Sequence, residues 1–108
     1  MVSQYSIRIL DAPGGTVVFW PWLPGTQPGA PLIAAPGDLV TWNNTSASAI
    51  TLVSLDPTVT YITNPIPSGQ VSSPIFTVPA KGLTYETSDG KVKHSIQVPS
   101  AVLTAPSV

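Results

Sequence analysis

The sequence predicts an all-β domain, built as a two-sheet sandwich of about seven short strands. Thirteen prolines and eight glycines are spread along all 108 residues, so no interval is left in which a long helix could form. Between them lie short segments rich in β-branched and aromatic residues, and turn signals separate these segments. A series of short strands with frequent turns is typical of a β-sandwich.

The first two strands are predicted from their residue pattern. In residues 4–10, apolar and polar side chains alternate, which is the period of a strand with one buried face. Residues 11–15 combine Asp, Pro and Gly and are expected to turn the chain. The β-branched and aromatic segment at residues 16–20 predicts a second strand, which ends where Pro21 interrupts the hydrogen-bonding ladder.

The middle of the chain is predicted to alternate between strands and irregular crossings. Residues 24–36 are punctuated by prolines and form the first crossing. We expect residues 39–42 and 49–55 to form a strand pair across a turn at residues 43–46. A second irregular stretch then extends to Gly69.

The last three strands are predicted at residues 71–78, 83–88 and 91–98. An Asp-Gly pair at residues 89–90 is a strong hairpin signal, because both residue types tolerate positive φ. The last two strands are therefore expected to form a hairpin. In the final strand His94 shares the register of the apolar residues, which predicts that it points toward the core.

Length and charge restrict the organisation and the partners. The chain has room for one domain, predicted at residues 1–98, and a C-terminal tail at residues 99–108. Four basic and five acidic residues leave a formal net charge of −1, which provides no basic field for nucleic acid. No apolar run approaches the roughly 18 residues needed to cross a bilayer, so no membrane span is expected.

The compartment stays open at this point. The N-terminal residues lack the basic start and the apolar stretch of a secretory signal. The protein is expected to be extracytoplasmic (periplasmic or secreted) if a leader was trimmed, and cytoplasmic otherwise. The absence of cysteine excludes disulfides, cysteine-ligated zinc and thiol catalysis.

Two segments resemble the plastocyanin-like cupredoxins. Residues 37–44 read GDLVTWNN, and residues 79–82 read PAKG and are followed by Tyr-Glu at residues 85–86. The resemblance covers roughly residues 31–98. It implies a cupredoxin-like Greek-key β-sandwich in which the tryptophan of the first segment, Trp42, points inward.

The resemblance also implies that the copper ligands have been lost. The family's first copper histidine corresponds to Ile50, and its copper-binding cysteine falls at Ser88 or Asp89. A blue-copper site needs two imidazoles and a thiolate, whereas this chain contains one histidine, His94, and no cysteine. His94 lies beyond the family's ligand loop and inherits no ligand role. We therefore expect no copper and no other cofactor.

The catalytic groups are also too few for an enzyme. His94 is the one conventional base near neutral pH, and the chain has no Gly-rich phosphate loop or signature carboxylate pair. Charged residues make up 8% of the chain, against about 25% in ordinary domains, so strand edges have little to prevent pairing. The leading hypothesis is a non-catalytic, copper-free, cupredoxin-like domain that acts as a protein-interaction or homo-oligomeric assembly module.

A carbohydrate-binding module is the alternative. Trp20 and Trp22 are two residues apart and would share one face of an extended segment, where two indoles can stack on sugar rings. Asn43 and Asn44 would supply hydrogen bonds. The competing interpretation is that both tryptophans cover the core or an interface.

A weak metal carrier centred on His94 is the third alternative. Asp89 or Glu86 would complete the site, because imidazole and carboxylate suit zinc and copper(II). The competing interpretation is that His94 is a core or interface residue whose nitrogens bond to backbone or hydroxyl groups.

Overall fold

The structure is a computed structural model that describes residues 2–21, 23–59 and 63–99. In these residues the regular structure consists of β-strands, with no helix, which confirms the all-β prediction. The strands are β1 (Gln4–Ala12), β2 (Thr16–Trp20), β3 (Leu32–Ile33), β4 (Leu39–Asn44), β5 (Leu52–Ser54), β6 (Phe76–Thr77), β7 (Leu83–Thr87) and β8 (Lys93–Gln97).

The strands form two mixed four-stranded sheets that pack as a sandwich. The order is β2-β1-β4-β6 in the first sheet and β3-β8-β7-β5 in the second. Each sheet contains one parallel pair, β1 with β4 and β3 with β8. Apart from the β1–β2 and β7–β8 hairpins, consecutive strands among those described lie in different sheets.

The predicted pair between residues 39–42 and 49–55 is wrong. β4 lies in the first sheet between β1 and β6, whereas β5 lies in the second sheet beside β7. Both sides of β4 are thus occupied by strands that are distant in sequence. The loop at residues 45–51 carries the chain across one end of the sandwich instead of folding it back.

The predicted hairpin between the last two strands is confirmed. Its ladder ends at the pair Glu86–Lys93, so the loop is longer than a two-residue turn. Within the loop, Gly90 has a φ of +76° and donates its amide hydrogen to the Thr87 carbonyl oxygen over 2.8 Å. The predicted crossing at residues 24–36 contains β3, which adds an eighth strand to the seven expected.

The core lies between the two sheets and is centred on three aromatic rings. Phe19 and Trp42 project from the first sheet, and each meets Tyr85 of the second sheet edge-on, with ring centroids 5.3 Å apart. All three side chains are fully buried, as expected for Trp42. Edge-to-face geometry is a preferred arrangement of aromatic pairs and stabilises the contact between the sheets.

Gly82 determines how the chain enters β7. Its φ is +72°, and a β-carbon at this position would overlap the backbone carbonyl oxygen of Ile96 in β8. Only glycine combines this backbone conformation with so close an approach. The turn before β7 is thereby held against β8.

Candidate functional site

The single histidine belongs to a buried chain of hydrogen bonds. The Trp42 Nε1–H group donates to the Tyr85 hydroxyl over 2.8 Å, and that hydroxyl lies 2.6 Å from His94 Nδ1. On the other side of the ring, His94 Nε2 lies 2.6 Å from the carbonyl oxygen of Ala30. A carbonyl can only accept, so Nε2 carries the hydrogen and Nδ1 accepts the Tyr85 hydrogen. Each side-chain nitrogen and oxygen atom of Trp42, Tyr85 and His94 therefore has a hydrogen-bond partner.

Burial determines the protonation states of His94 and Tyr85 in this hydrogen-bonded group. Desolvation lowers the pKa of His94 below its ordinary value of 6.5, and the hydrogen bond to Ala30 opposes this only in part. Burial also raises the pKa of Tyr85 well above its ordinary value of 10.0, partly offset by the hydrogen bond from Trp42. Both groups are therefore neutral at pH 7 and act as structural hydrogen-bonding partners.

This geometry confirms the interpretation of His94 as a core residue with hydroxyl and backbone partners. Glu86 lies on the opposite face of the second sheet, where its carboxylate is 4.0 Å from the Lys93 ammonium group. Asp89 accepts hydrogen bonds inside its own loop, from the Thr87 hydroxyl and the Lys91 amide.

Both ring nitrogens of His94 are occupied, so the geometry does not favour the metal-carrier alternative. No cluster of three metal-ligating side chains occurs among residues 2–21, 23–59 and 63–99.

We expect the stability of the domain to fall as the pH drops below about 6.5, because of His94. The folded state holds the imidazole neutral, whereas the unfolded chain binds a proton once the pH drops below the ordinary pKa of 6.5. This stabilisation is complete above that pKa and is lost as the pH falls, with a limiting slope of about 1.4 kcal/mol per pH unit. Urea unfolding at a series of pH values measures it.

His94→Gln is the control for this pH dependence, because glutamine does not titrate. Its unfolding free energy should be nearly flat over the same interval. Hydrogen bonds lower the pKa of Asp56 and Asp89 below 3.8, so their contribution is lost at more acidic pH. A parent profile as flat as that of His94→Gln would contradict the assignment.

Two residues of the predicted carbohydrate surface lie in one row on the outer face of the first sheet. Arg8 in β1 is opposite Trp20 in β2 and opposite Asn43 in β4. Directly opposed residues share a face, so the row spans three strands, or roughly 10 Å at the usual strand spacing. The Trp20 Nε1–H group donates to the Thr26 hydroxyl over 2.9 Å, which orients the indole. The sequence reasoning missed Arg8, because only the parallel pairing of β1 with β4 brings it between the two predicted residues.

The other two predicted residues do not join this row. Trp22 lies outside the described residues. Asn44 is fully buried, and its amide bonds to the carbonyl oxygens of Ser48 and Ile66 and to the amide and hydroxyl hydrogens of Ser46. Its proposed contact with a ligand is therefore wrong: Asn44 takes the inward register of β4 and organises the loops beside it. The carbohydrate-binding alternative stays a prediction that rests on Trp20 and Asn43.

A cavity of about 430 Å³ opens at the end of the sandwich where three loops meet. These loops connect β1 to β2, β4 to β5 and β7 to β8. This cavity is lined by Ile50, where the resemblance predicts the first copper histidine, and by Asp89, one of the two positions (88 or 89) predicted for the copper cysteine. Backbone contact supports the arrangement, since the Ser88 amide donates to the Thr51 carbonyl oxygen over 2.8 Å.

The charges of the strands are distributed unevenly between central and edge positions. Arg8, Asp11, Glu86 and Lys93 lie on central strands, whereas the four edge strands, β2, β6, β3 and β5, contain no charged residue among the residues described. Proteins commonly place charges at sheet edges to prevent pairing with other chains. The edges of this sandwich lack that protection.

Exposed aliphatic side chains accompany several of these edges, and two of them lie beside β6. Val71 bridges to Asn43 and Ile75 precedes β6, so both lie at the outer border of the first sheet. Their exposed fractions are 55% and 52%. We call Val71, Ile75 and β6 the β6 edge.

Comparisons with known proteins identify no relative. No protein-family model matches the chain, and no curated protein matches it either. Among the residues described, no helix is long and apolar enough to cross a membrane.

Proposed function

We propose that this chain is a non-catalytic, copper-free domain with a cupredoxin-like Greek-key frame, and that it assembles with further copies of itself. The absence of charge from the four edge strands carries the proposal. Open edges that lack charged residues favour association with another chain.

Two observations support the cupredoxin-like frame. The first is the mixed topology, in which β1 lies parallel to β4 and the chain crosses repeatedly between the sheets. The second is that Ile50, the expected position of the first copper histidine, and Asp89, one of the two expected positions of the copper cysteine, line one cavity at the end of the sandwich. The frame keeps the loop arrangement, while the side chains that would hold copper are replaced.

The state of the titratable groups supports a non-catalytic role. A general base needs a free nitrogen or oxygen within reach of a substrate. Both nitrogens of the His94 ring are instead engaged with Tyr85 and Ala30 inside the core. The domain therefore offers a surface and not a reaction centre.

The β6 edge is the surface that best fits a second copy of the chain. When two identical edges meet across a twofold axis, the residues at the centre of the edge lie near their own images, and a charge there would face a like charge. The sequence contains no charged residue from position 57 to position 80, a segment that includes the whole edge. The net charge of −1 adds little repulsion between copies.

We expect Ile75→Lys to weaken self-association at least tenfold. The substitution places an ammonium group at the centre of the edge, where it meets its own image in the second copy. Light scattering after size-exclusion chromatography measures the mass over about 1 to 100 µM, which covers micromolar dissociation constants.

Ile33→Lys is the matched control, because Ile33 is also half-exposed, at 48%, but lies on β3 at the edge of the second sheet. It should leave the mass unchanged. A parent protein that is monomeric throughout this range would overturn the proposal. An equal effect of both substitutions would overturn the choice of the β6 edge.

A further inference from the structure

The cavity at the loop end of the sandwich is large enough to hold a small ligand. Its volume of about 430 Å³ lies within the usual range for ligand sites, about 300 to 1,000 Å³. Its walls come from both sheets, through Val17 of β2, Ile50 before β5 and Val92 before β8.

Part of the cavity lining is apolar, and we call this part the floor. Val17, Ile50 and Val92 are half-buried and pack against the hydrophobic core on their inner side. Their outer sides face the cavity together with Ala12 and Ala49. An alkyl chain entering the cavity would cover this surface and release the water in contact with it.

The exposed part of the lining, which we call the mouth, carries the carboxylates of Asp11 and Asp89 and the ammonium group of Lys91. Asp11 is held in place by the Ala47 amide, which lies 3.3 and 3.1 Å from its two carboxylate oxygens. Asp89 Oδ1 accepts from the Thr87 hydroxyl over 2.6 Å and from the Lys91 amide over 3.0 Å. These bonds lower the pKa of Asp89, so it is ionised at neutral pH. Both carboxylates keep further lone pairs for a donor.

We propose that this cavity binds a small organic cation, a primary alkylammonium ion with a chain of about four to six carbons. The chain lies on the apolar floor, and the ammonium group donates hydrogen bonds to Asp11 and Asp89. The charge at the mouth, with two carboxylates against Lys91, favours a cation over an anion of the same shape. This ligand site is independent of assembly through the β6 edge.

The test uses n-hexylammonium chloride, n-hexanol and sodium hexanoate as probes of equal chain length. Each is titrated into the ¹⁵N-labelled full chain, and amide shifts are followed by NMR. We expect saturable shifts around Ala47, Thr87 and Val92 with hexylammonium, at least fivefold weaker binding of hexanol, and no saturation with hexanoate. Equal binding of all three probes, or shifts without saturation, would overturn the proposal.

Matched variants separate the charge at the mouth from the apolar floor. Asp11→Asn and Asp89→Asn keep the size and the acceptor oxygen of each side chain, and each should weaken hexylammonium binding about threefold to tenfold. Asp56→Asn removes a carboxylate outside this cavity and should leave binding unchanged. Val92→Thr keeps the shape of the floor but adds a hydroxyl, and should weaken hexylammonium more than methylammonium.

Two results would decide against the site even if all variants fold. Unchanged binding in both Asp11→Asn and Asp89→Asn would overturn the role of the mouth. Equal loss in Asp56→Asn would indicate an effect of net charge alone and would overturn a localised site. Repeating the titration with Ile75→Lys should give the same affinity, so failure of the assembly proposal and failure of this one are distinguishable.

Discussion

Asn44→Ala is expected to destabilise the domain by about 4 kcal/mol, whereas Asn43→Ala should change its stability by less than about 0.5 kcal/mol. The two asparagines are neighbours in β4, but they have opposite registers. Asn44 is fully buried, and Asn43 lies on the outer face of the sheet. The expected difference follows from hydrogen bonds and burial, since the residue type is the same.

The large effect at Asn44 has a specific cause. Its Nδ2 group donates to the Ser48 and Ile66 carbonyl oxygens over 2.7 and 2.8 Å, and its Oδ1 atom accepts from the Ser46 amide and hydroxyl. Alanine removes all four hydrogen bonds at a buried position, leaves the Ser46 amide without its partner, and creates a cavity. The loop after β4 and the segment at Ile66 then lose one of their connections, while the backbone bridge between Ile50 and Ile66 remains.

Equilibrium unfolding in urea, followed by tryptophan fluorescence, measures both variants. The midpoint should shift strongly for Asn44→Ala at a similar m-value, because the same surface is exposed on unfolding. A loss below about 1 kcal/mol would contradict this assignment, since it would mean that the four hydrogen bonds are readily replaced.

Tyr85→Phe is expected to cost about 3 kcal/mol of the free energy of unfolding. The substitution keeps the ring and its contacts with Phe19 and Trp42, and it removes one oxygen atom. That oxygen accepts from Trp42 Nε1–H and donates to His94 Nδ1, so its loss leaves two buried polar groups without partners. Each such group costs roughly 1 to 3 kcal/mol.

Tyr5→Phe is the matched control for this variant, because Tyr5 is half-buried and packs at the border of the core. Its stability should stay within about 0.5 kcal/mol of the parent. The two free energies are compared by denaturant unfolding under the same conditions. Equal losses in the two variants would show that the buried chain of hydrogen bonds contributes little.

Local patterns in the sequence were sufficient for the fold class, for the turn between β1 and β2, and for the β7–β8 hairpin. Alternation in residues 4–10 and β-branched content in residues 16–20 are properties of the strands themselves, and β1 and β2 form where these signals lie. The Asp-Gly pair before β8 is also a local signal, because the turn depends on the conformational freedom of its own residues. The register of His94 follows from alternation along a single strand.

Pairings between distant segments could not be predicted from such patterns. β4 and β5 are close in sequence and are both apolar, which favoured a hairpin, yet each finds a different neighbour. The choice depends on which strand can cover each face and each edge at once, a property of the whole sandwich. The two-residue strand β3 forms only because β8 lies beside it.

The same distinction applies to the candidate sites: some of their properties follow from the local sequence, and others depend on tertiary contacts. From its sequence alone, the chain is determined as an all-β domain without cysteine, with one histidine and with few charges, and these properties follow from composition and from short-range periodicity. The tertiary structure alone decided that Asn44 is buried, that Arg8 lies between Trp20 and Asn43, and that the charged strands occupy central positions. The physical reason is that burial and neighbourhood depend on contacts between residues far apart in sequence, which periodicity within one strand does not encode.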